Sequence, residues 1–245
     1  MANPRIYIDL PLTEGAHIDL PEGPAHHLLQ VLRLKVGEDF TLFNGKGGEY
    51  EAVITKIGRR NAQAWLVRYQ EPQRESPLKV TLAQCVSKGE RMDYTLQKAV
   101  ELGVNGFVPL LSSRSVVKLN AERWDKKMEH WRGVITSACE QSGRTCVPQL
   151  EEVASLEDWL LQRHADELRL TLAPGAALSL PSLQAPQRPV ILLVGPEGGL
   201  SGAEMLGAQT AGFIPLGLGP RILRTETAGI AVLAAMQALW GDWSI

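Results

Sequence analysis

Hydrophobic positions follow two different rhythms along the chain. The change falls at Glu71-Pro72-Gln73-Arg74-Glu75-Ser76-Pro77, where two prolines and a polar run interrupt the pattern. Before this break, short β-rich runs alternate with turn signals. Arg5–Asp9, Phe40–Phe43, Tyr50–Ile57 and Ala62–Tyr69 read as strands. Asn44-Gly45-Lys46-Gly47-Gly48 reads as a hairpin connection, because Asn and Gly supply the positive φ that tight turns require. One helix is expected over Pro24–Leu34, with Leu28, Leu29, Leu32 and Val36 toward the core. Residues 1–72 therefore predict a small β-barrel carrying one helix, a fold that does not by itself decide function.

After the break, apolar strands alternate with helices. Strands are expected at Val80–Val86, Gly106–Leu110, Leu168–Leu172, Val190–Val194 and Phe213–Leu216. Helices are expected at Met92–Leu102, Glu122–Cys139, Leu156–His164, Gly202–Ala211 and Glu226–Trp240. In the second helix, Trp124, Met128, Trp131, Ile135 and Ala138 recur at steps of three and four, which assigns both tryptophans to a buried stripe. Ser201 and Glu204 form a capping box ahead of the fourth. Short apolar strands alternating with helices predict a parallel α/β sheet over residues 73–245.

Charge adds a local asymmetry. Lys and Arg against Asp and Glu number 8 and 9 over residues 1–72, 12 and 8 over 73–150, and 5 and 10 over 151–245. Phosphate binding depends on local clusters of cations, so the overall charge of −2 does not exclude a nucleic-acid partner. Cys85, Cys139 and Cys146 have neither metal-ligand spacing nor an even count, so no metal site is expected. No apolar run has signal-peptide or membrane-span character, and a reduced, soluble, cytoplasmic protein is expected.

Two loops carry the strongest chemical signal, each following an apolar strand. VILLV leads into Gly195-Pro196-Glu197-Gly198-Gly199-Leu200-Ser201, and FIPLG into Leu218-Gly219-Pro220-Arg221-Ile222-Leu223-Arg224-Thr225-Glu226-Thr227-Ala228. Ligands of open parallel sheets bind beyond the carboxyl ends of strands. Glycine there lets backbone approach a flat ligand closely. Neither loop is a phosphate cradle, since both GxGxxG and Lys-Ser/Thr are missing. A nucleoside-like ligand without phosphates fits, and S-adenosylmethionine is one.

GPEGG with its capped helix, followed by LGLGPRILRTETA, resembles the RsmE-type ribosomal RNA uracil-N3 methyltransferases of the knotted SPOUT superfamily. Further matches are His27-Leu28-x-x-Val31-Leu32-Arg33, Ser87-Lys88-Gly89-Glu90-Arg91-Met92, Gln97-Lys98-Ala99-x-Glu101-Leu102-Gly103 and Ala138-Cys139-Glu140-Gln141-Ser142-x-Arg144. The resemblance spans nearly the whole chain, in order. It implies a PUA-like barrel that grips RNA and a SPOUT domain whose parallel sheet ends in a C-terminal trefoil knot. It also implies a homodimer acting on small-subunit (16S) ribosomal RNA or the ribosomal particle, with no membrane partner. Small residues in the last helix (Ala228, Gly229, Ala231, Ala234, Ala235, Ala238) permit close packing compatible with the knot, and equally with an ordinary helix on a sheet.

Carried over by residue, the resemblance places the cofactor against Leu172, Val194, Gly195, Pro196, Glu197, Gly198, Gly199, Leu216, Gly217, Leu218, Gly219, Ile222, Leu223, Arg224, Thr225 and Thr227. Ala173 stands where many relatives have a polar or charged residue. Uracil N3 is weakly acidic and lies on the Watson–Crick edge, so its methylation requires proton removal or anion stabilisation and an unpaired base. Arg224 is the candidate for the anion, and Glu140, Glu197 and Glu226 are candidate bases. Candidate RNA contacts are Arg5, His27, Arg33, Lys88, Arg91, Arg114 and Arg144. Two other classes compete: a non-catalytic RNA-binding or ribosome-assembly protein that kept the fold, and a nucleotide-cofactor oxidoreductase. Intact cofactor loops oppose the first, and a missing dinucleotide fingerprint opposes the second.

Overall fold

In the computed structural model, residues 3–59, 61–115, 117, 119–162 and 166–243 are described. They form two units: residues up to Glu75 together with Thr136–Val147, and Ser76–Ile135 together with the chain from Pro148 onward.

The first unit is built on β1 (Arg5–Tyr7), β2 (His17–Asp19), β3 (Asp39–Phe43), β4 (Glu49–Ile57) and β5 (Ala62–Gln70). They lie in the order β1-β3-β4-β5-β2, with β1 parallel to β3 and the remaining pairs antiparallel. Alternate residues turn inward, so Phe40, Leu42, Ile54, Ala64 and Leu66 meet Ile6, Ile8 and Leu28 in one core. The β3–β4 connection uses Gly45, Gly47 and Gly48 at positive φ, as the Asn-Gly pattern predicts. β2 lacks a readable pattern because only Ile18 is half-buried between two exposed residues.

The predicted helix over Pro24–Leu34 is corrected. An α-turn, α1 (Glu22–His26), widens into a π-turn over His27–Val31, and the chain then leaves the helix through Arg33 at φ 59°. Leu28 is buried, but Leu32 and Val36 are exposed rather than in the core. The 3.6-residue period that aligned them ends with the π-turn.

The end of helix α3 (Ala121–Ser142) and the residues after it supply this unit with an ionic network. Glu75 accepts from Arg144 Nε at 3.0 Å and Nη2 at 2.7 Å, and from the Thr145 and Cys146 amides at 3.0 Å each. Arg5 pairs with Glu49, donates to the Arg144 carbonyl and stacks over Phe43.

The second unit is a parallel sheet: β6 (Val80–Cys85), β7 (Gly106–Leu111), β8 (Gln149–Leu150), β9 (Ala154–Ser155), β10 (Leu168–Leu172), β11 (Val190–Val194) and β12 (Ile214–Leu216). The order is β12-β10-β11-β6-β7-β8, with β9 also on β7. β11 is buried at all five positions, as a strand covered on both faces must be. α4 (Leu156–Leu161) and α5 (Gly202–Thr210) cover one face, where Leu156, Trp159 and Ala208 meet Val108, Ile191 and Phe213. α6 (Thr225–Trp240) packs on α2 (Arg91–Glu101) and on β11, so closely that Gly229 has room for no more than a methyl beside Val194 and Leu82. α4 ends at Leu161, short of the helix expected through His164, which lies outside the described residues. The α3 stripe is buried at Met128, Trp131, Ile135 and Ala138, with Trp124 half-buried against Trp131.

Glu75→Ala leaves the nearly buried Arg144 guanidinium short of its partner, and a loss of about 3–5 kcal/mol is expected in chemical denaturation. Burial alone would raise the Glu75 pKa, but Arg144 and the two amides hold it below its ordinary 4.5. Stability from a depressed carboxylate is present above the ordinary value and is lost as pH falls through the depressed one. The stability gap between the wild type and Glu75→Ala should therefore narrow on acidification below about 4.5.

Candidate functional site

The carboxyl ends of β10, β11 and β12 open into a cavity of about 600 Å³. Its walls are the two glycine-bearing loops and the first turn of α6. Leu172, Val194, Leu216, Leu218 and Leu223 give it an apolar lining, and Gly195, Gly198, Gly199 and Gly219 contribute no side chain to it.

Three hydrogen-bonded connections hold the first loop. The Thr225 hydroxyl donates to the Gly195 carbonyl at 2.6 Å and accepts from Gln84 Nε2 at 3.0 Å. Arg114 Nη1 donates to the Gly198 carbonyl at 2.8 Å. Glu197 Oε1 accepts from the Lys88 amide at 3.0 Å and from Arg91 Nη1 at 2.8 Å. Burial pushes the Glu197 pKa up, but its own amide, the Lys88 amide and Arg91 together hold it below the ordinary value. Past the loop, the Ser201–Glu204 capping box starts α5, and Glu204 also accepts from the Ser113 amide at 2.6 Å.

The second loop leaves β12 at Leu216, whose carbonyl accepts from the Ala173 amide at 3.0 Å. Gly217 donates to the Leu178 carbonyl at 2.9 Å, and a Cβ on Gly217 would stand 2.4 Å from the Ala176 carbonyl oxygen. Arg224 is the N-cap residue of α6, and its carbonyl accepts from Thr227 and Ala228. Its guanidinium is exposed and has no ion pair among the described residues, so it is not tied to Glu226. Arg91 takes that place, with Nε 3.8 Å from Glu226 Oε1.

Of the sixteen residues expected at the cofactor, fourteen line this cavity, and Gly217 and Thr227 do not. Gly217 is spent on packing against Ala176, and Thr227 faces outward from α6. The lining also includes Arg91, Ala173, Pro174, Leu200, Met205, Arg221, Glu226 and Ala228. Arg224 and Glu226 are thus brought together, but Glu140 is not among the lining residues. Its Oε1 accepts from the Tyr7 amide at 2.9 Å within the first unit, and burial raises its pKa despite that bond and the nearby His27 and Arg5 charges.

The predicted RNA contacts divide. His27, Arg33 and Lys88 are exposed. Arg144 is only 3% exposed and bonded to Glu75, and Arg5 is held by Glu49 and the Arg144 carbonyl, so both are corrected to structural cations. Arg91 and Arg114 are exposed, but they brace the first loop. Gln84 escaped the sequence reading, although a lone glutamine inside the buried strand VTLAQC is a legible anomaly. No group of three or more His, Cys, Asp or Glu suited to a metal occurs among the described residues.

Comparison with known proteins agrees with this geometry. Residues 74–237 match the model of the RNA methyltransferase domain family, and residues 20–66 match that of the RNA methyltransferase PUA domain. The ribosomal RNA small subunit methyltransferase E of Buchnera aphidicola (strain Sg) is 35% identical over 98% of both chains. The Bacillus subtilis protein of the same name is 32% identical over 95% of both. The Neisseria gonorrhoeae ribosomal RNA small subunit methyltransferase E, solved bound to S-adenosylmethionine, superposes with a TM-score of 0.93 at 40% identity, over 99% of this chain and 100% of that one. A Legionella pneumophila protein in complex with the same cofactor superposes at 0.95 and 39% identity, with the same coverage. These neighbours share the fold, and the family matches identify its parallel-sheet unit as an RNA methyltransferase domain that accompanies a PUA domain.

Two glycines of the second loop should fail differently. Gly217→Ala forces a backbone displacement at Ala176 and is expected to cost about 1–3 kcal/mol. Gly219 has open space but a φ of +82°, so Gly219→Ala should cost only about 1 kcal/mol. Thermal denaturation of both variants checks the order, and an equal or reversed ranking would contradict it.

Proposed function

The chain belongs to the RNA methyltransferase family of the ribosomal RNA small subunit methyltransferase E type, and we propose that it methylates N3 of one uridine in small-subunit (16S) ribosomal RNA. It is an S-adenosylmethionine-dependent methyltransferase. One observation carries the finer reading: an apolar, glycine-bearing cavity at the carboxyl ends of parallel strands, rimmed by Arg224, a cation without an ion pair among the described residues.

The residues suit a nucleoside cofactor. Gly199 and Gly219 leave open space where a side chain would stand. Leu172, Val194, Leu216, Leu218, Ile222 and Leu223 would hold the adenosine portion, with Gly195 to Gly199 and Thr225 at its polar edges. When bound, S-adenosylmethionine supplies a methyl group already activated by its sulfonium. The protein's remaining tasks are alignment and control of charge on the base. Arg224 stabilises the uracil anion as N3 loses its proton, through a planar fork suited to a carbonyl edge. Despite burial, the amide of Glu197 itself, the Lys88 amide and Arg91 hold the Glu197 pKa below the ordinary value, which makes it a poorer proton acceptor than a free carboxylate.

RNA contact falls to His27 and Arg33 on the barrel of residues 1–72 and to Lys88 in the methyltransferase domain of residues 73–245. Exposed Val31, Leu32 and Val36 beside Arg33 and Lys35 give that barrel edge both apolar and cationic character. Homodimerisation, the trefoil-knotted threading and a cytoplasmic location belong to the same reading. Exposed Leu239 near the end of α6 and Trp243 just after it offer apolar surface to a second copy. No described helix is long and apolar enough to cross a membrane.

Incubating the protein and S-adenosylmethionine with small subunits from a strain lacking the gene should yield 3-methyluridine in nucleoside mass spectrometry. Its absence, or a different methylated nucleoside, would overturn the reading. In single-turnover assays at saturating cofactor, Arg224→Ala should lower the rate by about 10²- to 10³-fold, with cofactor affinity little changed. Arg224→Lys should recover only part. A rate loss matched by lost cofactor affinity would reduce Arg224 to a loop residue.

A further inference from the structure

The cavity wall contains two carboxylates, Glu197 on the first loop and Glu226 in the first turn of α6. Arg91, at the start of α2, reaches both: Nη1 lies 2.8 Å from Glu197 Oε1 and Nε lies 3.8 Å from Glu226 Oε1. The other Glu226 oxygen is buried without a partner among the described residues. Two further cations line the cavity, Arg221 and Arg224, but both are exposed and neither has an ion pair among the described residues. Arg91 is therefore the cation seated between the carboxylates.

We propose that Arg91 is a positioning residue that neutralises this carboxylate pair and so limits the preference of the site for the cationic methyl donor over its neutral product. The inference rests on the cofactor reading above. S-adenosylmethionine carries a fixed positive charge on sulfur, whereas S-adenosylhomocysteine, which remains after transfer, carries none. A wall with two uncompensated carboxylates would bind the sulfonium more tightly in the ground state. Charge leaves sulfur as the methyl departs, so that attraction weakens toward the transition state and would slow transfer. An arginine placed between the glutamates prevents this. It also ties the first loop to the start of α6, and a purely mechanical brace would affect both ligands equally.

Calorimetric titration of the full-length protein with S-adenosylmethionine and with S-adenosylhomocysteine separates charge from bracing. Arg91→Gln should raise the ratio of product Kd to donor Kd by about fivefold, the scale of one charge acting across a partly screened cavity. Arg91→Lys, which keeps the charge, should leave the ratio near that of the wild type even if both affinities fall. Glu226→Gln removes one carboxylate and should move the ratio in the opposite direction, which keeps the question answerable if Arg91→Gln does not fold. An unchanged ratio in folded Arg91→Gln, or in Glu226→Gln, would overturn the proposal. If the unaltered protein bound neither ligand, the cofactor reading would fall first and this inference with it.

Discussion

The Thr225 hydroxyl donates to the Gly195 carbonyl and accepts from Gln84 Nε2, and the spacing of the two loops around the cavity depends on that short chain. Gln84 sits on β6, the strand beside β11, so the bonds fasten α6 and the GPEGG loop to the middle of the sheet. The amide nitrogen can only donate, which leaves the hydroxyl proton free to point at Gly195. Burial strengthens both bonds, because no water competes for the same atoms. The arrangement fixes a loop rich in glycine, a residue that would otherwise make it mobile.

Around this chain, the arginines of the second unit divide the work by where they are held. Arg114 is fastened to the Gly198 carbonyl, and Arg91 lies between two carboxylates. Arg221 and Arg224 remain exposed at the rim. A cation already paired has little left to offer a substrate, so the proposed stabilisation of transition-state charge is assigned to the rim. The same reasoning removes Arg5 and Arg144 from the RNA surface in the first unit, where they close an ionic network with Glu49 and Glu75.

The parallel sheet was legible because its strands are short and mostly apolar, with the central ones, β6 and β11, almost wholly buried; Leu168–Leu172 and Val190–Val194 were placed to the residue. Most of the cavity lining was legible for a related reason, since the glycine loops follow those strands directly. Partnership was not legible. Nothing local distinguishes Arg224, exposed at the rim, from Arg144, buried against a glutamate 69 positions earlier. Gly217 resembles its neighbours in sequence but is used for close packing against Ala176. The helix expected over Pro24–Leu34 is present through Val31, but its buried face was misread at Leu32 and Val36, because a period of 3.6 cannot foresee a π-turn that shifts every later side chain around the axis.

Hydrogen–deuterium exchange with and without S-adenosylmethionine tests most directly that the two loops together form the cofactor site. Protection on binding should fall in Gly195–Leu200 and in Leu216–Ala228, with the amides of the β10 and β11 interiors already slow in the free protein. Protection confined to one loop, or appearing in the barrel instead, would contradict the account.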